Sequence, residues 1–320
     1  MPNIQIQNPK NLLEKYGIKP SKKLGQNFLI NNSVLEKIIK EADLSKQDTV
    51  IEIGPGLGIL TIELAEKVKK VIAIEKDKVI CDILLKIIDS ENIKNVKIVN
   101  QDILQIPDFK FPHLLSASLQ ANSGQVISNQ IQNSNFKIDS KFKIKNYKII
   151  ANIPYYLTSP LIRKFIENKY RPELIILMVQ KEVAQRIIAK PPHMNLLAIA
   201  VQFYADAKIV NYVSKNSFWP IPKVDSAIIQ ITPRKNVDSY AEKRGINPEQ
   251  FFKIVKAGFS SKRKFLINNL SRELKIVNCK LKIVFDQIGL GQKLRAENLS
   301  INDWISLYKG LKKSIRQKVI

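Results

Sequence analysis

Short apolar runs alternate with helical patterns between residues 49 and 188, and this alternation constrains the fold more than any other feature of the chain. The apolar runs predict strands at 49–53, 71–75, 96–100, 148–151 and 174–179. Helices are predicted between them at 58–67, 78–88, 161–168 and 181–188. Strands that alternate with helices pair in parallel, so we expect an α/β fold with a mostly parallel, doubly wound sheet and helices on both faces. Two more β-rich runs, 207–213 and 226–232, are expected to form an antiparallel hairpin at its edge.

The sequence pattern changes at about residue 236. Helical patterns dominate beyond that point, at 251–259, 265–274, 281–288 and 301–311. Residues 236–320 hold 18 Lys or Arg against 7 Asp or Glu. We therefore predict two domains, an α/β domain over 1–235 and a small, basic, all-helical domain over 236–320 whose charge suits RNA binding.

Residues 116–135 fit neither domain. Thirteen of these 20 residues are Ser, Asn or Gln, and none is charged. A run this polar buries too little apolar surface to offset the entropy of ordering, so it predicts a disordered loop inserted between the third and fourth strands. A poorly formed helix is the alternative.

The net charge of the chain indicates a polyanionic partner. Lys and Arg number 52 against 28 Asp and Glu, which gives a formal charge of +24. A surplus of this size is typical of proteins that bind nucleic acid. A proteome rich in Lys, Ile and Asn is the alternative explanation for part of the excess.

The chain has too few cysteines and histidines for a disulfide framework, a zinc site or a histidine-based catalytic triad. Cys81 and Cys279 form neither a metal-ligand spacing nor a disulfide framework, which is typical of a reducing compartment. Two histidines, His113 and His193, argue against a zinc site or a histidine-based triad. The first ten residues do not resemble a signal peptide, and no run approaches the roughly 18 apolar residues of a membrane span. We expect a cytoplasmic protein with no metal and no membrane partner.

A glycine-rich turn follows the first predicted strand. Gly54-Pro-Gly56-Leu-Gly58 leads into a helix, and glycines let the backbone come close to a ligand. Ile59 stands where a dinucleotide fingerprint needs its third glycine. The spacing therefore favours a nucleoside cofactor without a pyrophosphate.

Acidic residues surround this turn at the ends of successive strands. Glu52 precedes the turn and could face a cationic amino group. Glu75 ends the second strand, where an acid can bind ribose hydroxyls, and Asp102 follows the third, where it could accept from an adenine amine. An acidic ring around a cationic nucleoside suggests S-adenosylmethionine. Taken singly, Glu75 or Asp102 could instead be a solvated strand end.

The segment Asn152-Ile153-Pro154-Tyr155 follows the fourth predicted strand. Open α/β sheets bind ligands at this end of their strands. An amide oxygen and a backbone carbonyl can accept hydrogen bonds from an exocyclic amine, and a tyrosine can stack on a base. The segment therefore suits a flipped-out adenine, with an ordinary strand-to-helix turn as the alternative.

Six motifs occur in an order that resembles a known family. They are Lys22-Lys-Leu-Gly-Gln-Asn-Phe-Leu29, Glu52-Ile-Gly-Pro-Gly-Leu-Gly58, Gln101-Asp-Ile-Leu104, Asn152-Ile-Pro-Tyr155, Phe218-Trp-Pro-Ile-Pro-Lys-Val-Asp-Ser-Ala227 and Ala257-Gly-Phe-Ser-Ser-Lys-Arg-Lys264. Over about residues 12–310 they resemble the small-subunit ribosomal RNA adenine N6-dimethyltransferases, the KsgA family of the rRNA adenine methyltransferase superfamily.

This resemblance implies a Rossmann-like class I methyltransferase fold and a set of site residues. S-adenosylmethionine would be bound by Asn27, Leu29, Gly54, Glu75, Asp102 and Asn152. The target adenine would be held by Asn152, Ile153, Pro154, Tyr155 and Phe218. A simple core residue is the alternative for Phe218. The implied substrate is two adjacent adenosines in the 3′-terminal hairpin of 16S rRNA, methylated at their N6 amines in the immature small subunit by a monomeric enzyme during ribosome biogenesis.

Lys262, Arg263 and Lys264 lie at a predicted helix-to-helix junction. Clustered cations of this kind contact phosphates, which sets affinity without reading bases. A solvated helix face is the alternative.

Three other functions stay open. Erm enzymes, which methylate large-subunit rRNA, share the implied fold, but residues 222–227 and the long helical C-terminus favour the KsgA family. A DNA adenine methyltransferase would use a similar Asn-Pro-Tyr loop. A non-catalytic RNA-binding assembly factor is the third, against which the intact Asn152–Tyr155 loop and the acidic ring weigh. The insertion at 116–135 is longer than is usual in the family.

Overall fold

The computed structural model describes residues 9–106, 126–128, 147–168, 170–234 and 244–316. These residues divide into two units. The first, an α/β unit, contains the described residues up to Ala184 together with Ala207–Pro233. The second, a helical unit, contains Gln185–Asp206 and the described residues from Arg234 onward. The division predicted at residue 235 placed 185–206 in the first domain, whereas the structure packs this segment with the helical unit.

The strands are β1 (Phe28–Leu29), β2 (Thr49–Ile53), β3 (Lys70–Glu75), β4 (Val96–Asn100), β5 (Val126–Ser128), β6 (Tyr147–Asn152), β7 (Leu174–Gln180), β8 (Ala205–Val213), β9 (Phe218–Trp219) and β10 (Ser226–Pro233). The helices are α1 (Pro9–Lys15), α2 (Asn32–Glu41), α3 (Ile59–Lys67), α4 (Lys78–Ser90), α5 (Thr158–Ile166), α6 (Lys181–Ile187), α7 (Leu196–Tyr204), α8 (Pro248–Gly258), α9 (Leu266–Leu274), α10 (Asn278–Gln287) and α11 (Ile301–Arg316). Among the described residues, no helix has both the length and the apolar character needed to cross a bilayer.

Eight strands form one sheet in the order β5-β4-β3-β2-β6-β7-β10-β8. The pairings from β5 through β7 are parallel, and β10 runs antiparallel to β7. The order reverses at β2, because β3 and β4 extend the sheet to one side while β6 and β7 extend it to the other. Ligands bind at such a reversal point, beyond the carboxyl ends of the strands. The mostly parallel, doubly wound sheet predicted from the sequence is confirmed.

The central strands are apolar on both faces because helices cover both sides of the sheet. Val50, Ile51, Ile149 and Ile150 have no exposed surface. A parallel strand buried in this way appears in the sequence as a continuous apolar run. Full burial of each side chain contributes about 1.5–3 kcal/mol, so these runs anchor the strand ends that carry the site.

Helix α4 fixes the chain just after the end of β3. The Asp77 side chain accepts the backbone N–H groups of Val79 and Ile80 at the first turn of the helix. A cap of this type contributes about 1 kcal/mol. One face of the helix is buried at helical spacing by Ile80, Cys81, Ile83, Leu84 and Ile88. The short turn after Glu75 is therefore fixed at one end by β3 and at the other by the start of α4.

A second, two-stranded pair was not predicted. β1 runs antiparallel to β9, with Phe28 opposite Trp219 and Leu29 opposite Phe218. The two strands are too short for a periodic signal, and about 190 residues separate them. This pairing attaches the segment ahead of β2 to the segment ahead of β10.

Residues 185–206 join the helical unit because α7 is apolar on nearly every side. Most of its residues are buried. Phe203 stacks on Phe251 of α8 with the ring centroids 4.9 Å apart. A helix that is apolar all round belongs inside a core and lacks the amphipathic period of a surface helix, so the sequence left it unassigned.

Most of the insertion at 116–135 lies outside the described residues. Val126–Ser128 are described, and they form β5 in parallel with β4, with Val126 opposite Ile98. For these three residues the structure shows a strand where the sequence predicted disorder. Val126 and Ile127 are β-branched, which suits an edge strand.

Gly58→Ala should destabilise the α/β unit by about 2–5 kcal/mol, as measured by equilibrium urea denaturation. Gly58 has a φ of +86°, and a Cβ there would lie 2.4 Å from Leu84 Cδ1. Left-handed backbone costs a residue with a Cβ about 1–2 kcal/mol, and overpacking adds about 1–3 kcal/mol.

Gly17→Ala is the matched control. Gly17 has a φ of +66°, but a Cβ there would meet nothing within 4 Å. Gly17→Ala should therefore lower the free energy of unfolding by about 1–2 kcal/mol, the cost of left-handed backbone alone. Equal losses for the two variants would show that the clash with Leu84 relaxes without cost.

Candidate active site

A cleft opens at the carboxyl ends of β2, β3, β4 and β6, within the α/β unit. Ten residues that the sequence singled out line it together. They are Asn27, Leu29, Gly54, Glu75, Asp102, Asn152, Ile153, Pro154, Tyr155 and Phe218. Glu52 lines the same cleft. The predicted cofactor residues and the predicted adenine residues therefore share one cavity.

The glycine turn lies directly against the loop that follows β6. Gly54 has a φ of +66°, and its backbone N–H donates to the Ile74 carbonyl at 2.9 Å. A Cβ on Gly54 would lie 3.7 Å from Pro154 Cδ and 3.9 Å from the Asn152 carbonyl oxygen. A ligand held by the turn therefore lies beside the Asn152 loop.

Glu75 is fixed by backbone donors. Its Oε1 accepts the N–H of Lys76 at 2.8 Å and that of Asp77 at 2.9 Å. Burial raises the pKa of Glu75, while hydrogen bonds from Asp77, Lys76 and Gly56 act in the opposite direction. The Gly56 bond ties the acid to the glycine turn, and the Lys76 and Asp77 bonds fix its orientation at the position predicted for binding ribose hydroxyls.

Glu52 is an acid buried without adequate compensation. Its side chain is 1% exposed, and Oε2 has no hydrogen-bond partner among the described residues. Burial raises the pKa of Glu52 to about 8, and the Glu75 carboxylate acts in the same direction. A buried acid of this kind is stabilised as a carboxylate when a cation lies beside it.

Asp102 has partners on both oxygens. Oδ1 accepts the Leu104 N–H at 3.0 Å and caps a short 3₁₀ turn. Oδ2 lies 2.9 Å from Lys76 Nζ, a residue that the sequence analysis did not single out. An adenine amine that binds Asp102 must therefore displace this ammonium or share the carboxylate with it.

Asn152 ends β6 with its amide oriented by the opposite wall. Nδ2 donates to the Asn27 carbonyl at 3.3 Å, which leaves Oδ1 as the acceptor. The Pro154 carbonyl accepts the Leu157 N–H at 2.9 Å, so the turn uses that group itself. The Ile153 carbonyl is therefore the better candidate for a second acceptor in this loop.

Two aromatic residues border the Asn152 loop. The Tyr155 hydroxyl lies 2.9 Å from Ser226 Oγ of β10, and this contact holds the half-buried ring in place. Phe218 lines the cleft but is only 1% exposed and packs in the main core with Leu29. Phe218 therefore forms a fixed wall, which combines the core role and the site role that the sequence could not separate.

The opposite wall is the segment ahead of β2, which the β1–β9 pairing holds in place. Gln26 Nε2 donates to Asp77 Oδ2 at 3.0 Å, which tethers this wall to the turn before α4. Sequence reasoning missed Gln26, Lys76 and Tyr156, although all three line the cleft. The motif around Gln26 was visible in the sequence, but its contact with Asp77 was not.

The basic run Lys262, Arg263 and Lys264 lies in the helical unit. It forms the exposed turn between α8 and α9 and does not line the cleft. Among the described residues, no three His, Cys, Asp or Glu side chains are grouped to hold a metal ion.

Comparison with known proteins gives a consistent family. A family model described as ribosomal RNA adenine dimethylase matches residues 17–313. A ribosomal RNA small subunit methyltransferase A from Dehalococcoides mccartyi is 37% identical over 299 residues, which cover 93% of this chain and 90% of the relative. The protein of that name from Clostridium botulinum is 38% identical over 303 residues, with coverages of 93% and 96%.

Two solved structures have the same fold. A dimethyladenosine transferase from Plasmodium falciparum superposes with a TM-score of 0.67 and 26% identity, covering 90% of this chain and 98% of that one. The 23S rRNA methyltransferase ErmE superposes with a TM-score of 0.62 and 21% identity, covering 89% and 100%, which is a likeness of fold alone.

The family match begins ahead of β1 and ends within α11, so it takes in every element that lines the cleft. This chain belongs to the ribosomal RNA adenine dimethylase family.

Proposed function

We propose that this protein transfers methyl groups from S-adenosylmethionine to the N6 amines of two adjacent adenosines in the 3′-terminal hairpin of 16S rRNA, as a step of small-subunit biogenesis in the cytoplasm. The contact between the glycine turn and the Asn152 loop carries the proposal. It puts groups suited to a cationic nucleoside beside groups suited to a purine amine. Relatives named ribosomal RNA small subunit methyltransferase A support the choice of substrate.

The acidic ring fits S-adenosylmethionine. A cation beside the unpartnered Glu52 oxygen would offset the cost of burying that carboxylate. Glu75 would accept the ribose hydroxyls, with the remaining contacts from Asn27, Leu29, Gly54, Asp102 and Asn152. Bound there, the cofactor supplies an electrophilic methyl group on a sulfonium.

Asp102 can be freed at little cost. Its partner Lys76 has a side chain that is 52% exposed, whereas the Asp102 side chain is 16% exposed. Because the ammonium stays accessible to solvent, the ion pair contributes only about 1 kcal/mol. Displacing the ammonium leaves Asp102 as an acceptor for an adenine amine, while its bond from Leu104 keeps the carboxylate in place.

The Asn152 loop would activate the target amine. The lone pair of an adenine amine is delocalised into the ring, which makes the nitrogen a poor nucleophile. Two acceptors, Asn152 Oδ1 and the Ile153 carbonyl, would bind its N–H groups and stabilise the positive charge that develops during transfer. Because the ammonium product loses its proton readily, the chain needs to position the amine more than to remove the proton.

Tyr155 and Phe218 would position the base. The Tyr155 ring is fixed by Ser226 and offers a face for stacking, worth about 1–3 kcal/mol per base. Phe218 is fixed by the core around it. Rigid walls of this kind hold the amine in line with the donor.

Small subunits are isolated from cells that lack this protein and incubated with the purified protein and S-adenosylmethionine. Mass spectrometry of the 3′ hairpin should then detect methyl groups on two adjacent adenosines. Asn152→Ala should lower the rate at least about 100-fold, because it removes the acceptor that binds the amine. Calorimetry should show a much smaller loss of cofactor affinity, because Asn152 is only one of several residues proposed to contact the cofactor. Asn302→Ala, at an exposed position on α11, is the matched control and should keep full activity. Methylation of duplex DNA, or full activity of Asn152→Ala, would contradict the proposal.

Binding of S-adenosylmethionine at pH 7 should release a proton. Because the pKa of Glu52 is raised to about 8, the group is mostly protonated at pH 7, and a cation beside it favours the carboxylate. Affinity should therefore rise with pH up to about 8, and the release should vanish above about pH 9, where Glu52 has already ionised. Titration calorimetry in buffers of different ionisation enthalpy measures the release. Glu52→Gln should abolish it, and a release that persists in that variant would assign the proton to another group.

Changing Lys262, Arg263 and Lys264 together to Gln should weaken binding of the rRNA hairpin and flatten its salt dependence. Each lost phosphate contact reduces the slope of log K against log salt by about 1. Lys282, Lys293 and Lys309 are also exposed on the helical unit, so changing those three to Gln gives a control with the same charge. The same salt slope in both triple variants would exclude the predicted patch, measured by fluorescence anisotropy over a salt series.

A further inference from the structure

Two adjacent tyrosines at the cleft differ sharply in exposure. Tyr155 is half-buried and held by Ser226, whereas the Tyr156 side chain is 55% exposed. Both belong to one 3₁₀ turn, Tyr155–Leu157, in which successive side chains point about 120° apart. Tyr156 lines the same cleft. The proposed target base and cofactor use Tyr155 and leave Tyr156 without a role.

The Tyr156 ring is supported on one side. A Cβ on Gly25 would lie 3.7 Å from Tyr156 Cε1 and 3.8 Å from Cδ1, and 3.5 Å from Pro154 Cβ. The ring therefore rests close to the backbone of the segment ahead of β1, beside the proline of the Asn152 loop. A tyrosine has few rotamers to lose, so a ring supported in this way offers its remaining surface at low entropic cost.

Lys76 lines the same cleft as Tyr156, and its side chain is 52% exposed. The pKa of Lys76 is raised chiefly by its hydrogen bond and ion pair with Asp102, and to a smaller extent by Tyr156. Lys76 Nζ lies 2.9 Å from Asp102 Oδ2, which fixes the ammonium at the cleft that Tyr156 also lines. An exposed ring and an exposed cation in one cleft match a nucleotide, whose base stacks on the ring while its phosphate faces the charge.

We infer that Tyr156 is a stacking platform for the nucleotide next to the target adenosine, and that Lys76 faces the phosphate of that nucleotide. This inference rests on the proposed function, under which the neighbouring nucleotide is the other adenosine of the pair. One adenosine lies at Asn152 while the second lies on Tyr156. S-adenosylmethionine is a less suitable occupant of the Tyr156 ring. The acid proposed to face its cation, Glu52, is buried, whereas the Tyr156 ring is exposed.

A double-mutant cycle between protein and RNA tests this contact. The protein arm is Tyr156→Leu, which keeps an apolar side chain but removes the aromatic face. The RNA arm is a hairpin substrate with an abasic site in place of one of the two adenosines. Tyr156→Leu should raise the KM for the intact RNA about 5- to 100-fold, with unchanged affinity for S-adenosylmethionine. With the wild-type protein, the abasic RNA should raise the KM for methylation of the remaining adenosine by a similar factor. Tyr156→Leu combined with the abasic RNA should raise the KM no more than either change alone.

Two variants control for structural effects. Tyr156→Phe keeps the ring and should retain the wild-type KM. Tyr212→Leu is the matched control, because Tyr212 is 51% exposed and has Lys181 Nζ 5.3 Å from its ring centroid, yet it does not line the cleft. It should leave the KM unchanged.

The outcomes separate this inference from the function on which it rests. An unchanged KM in Tyr156→Leu, or losses that multiply with the abasic RNA, would overturn the platform while leaving rRNA methylation intact. A loss of S-adenosylmethionine affinity in Tyr156→Leu would overturn the platform, because it would show that Tyr156 contacts the cofactor. A wild-type protein that methylates no rRNA would overturn the proposed function and the platform with it.

Discussion

The parallel pairing of β2 with β6 is the constraint on which the cleft depends. Glu52 lies opposite Ile150 in this register. Two residues further along each strand, the chain reaches Gly54 on one side and Asn152 on the other. Parallel strands end at the same edge of a sheet, so the turn and the loop come together without any additional element. The strands themselves are held by complete burial on both faces, which keeps their ends in place.

The cleft concentrates features that would be unfavourable elsewhere in the fold. Glu52 is a buried carboxyl whose Oε2 has no hydrogen-bond partner among the described residues. Gly54, Gly56 and Gly58 all have positive φ, which a residue with a Cβ would adopt only at a cost. A buried acid without a partner costs stability, so it persists only where the surrounding structure holds it in place. Here the enforcing elements are the buried strands, the capped start of α4 and the bonds from the turn to Glu75. Under the proposed function, the site is thus prepared for a cation and for a close backbone approach before a ligand binds.

The sequence predicted those parts of the molecule whose signals are local. Five of the six parallel strands are mostly apolar runs, and the glycine turn and the Asn152 loop are short motifs at their ends. The sequence could not predict the β1–β9 pair, because two-residue strands have no period and their partners are distant. It left α7 unassigned for lack of an amphipathic pattern. The bond between Lys76 and Asp102 and the exposure of Tyr156 depend on side-chain packing, which spacing along the chain does not encode.

The β1–β9 pair also affects the order in which the cleft is completed. A polypeptide is synthesised from its N-terminus, so β1 emerges from the ribosome long before Phe218 and Trp219, which complete its ladder. By then the strands that carry the glycine turn and the Asn152 loop have already been made. A nascent chain that ends short of β9 would thus have both ligand-binding edges but a wall with an unpaired strand. The cavity closes late in biosynthesis, when the two distant segments meet.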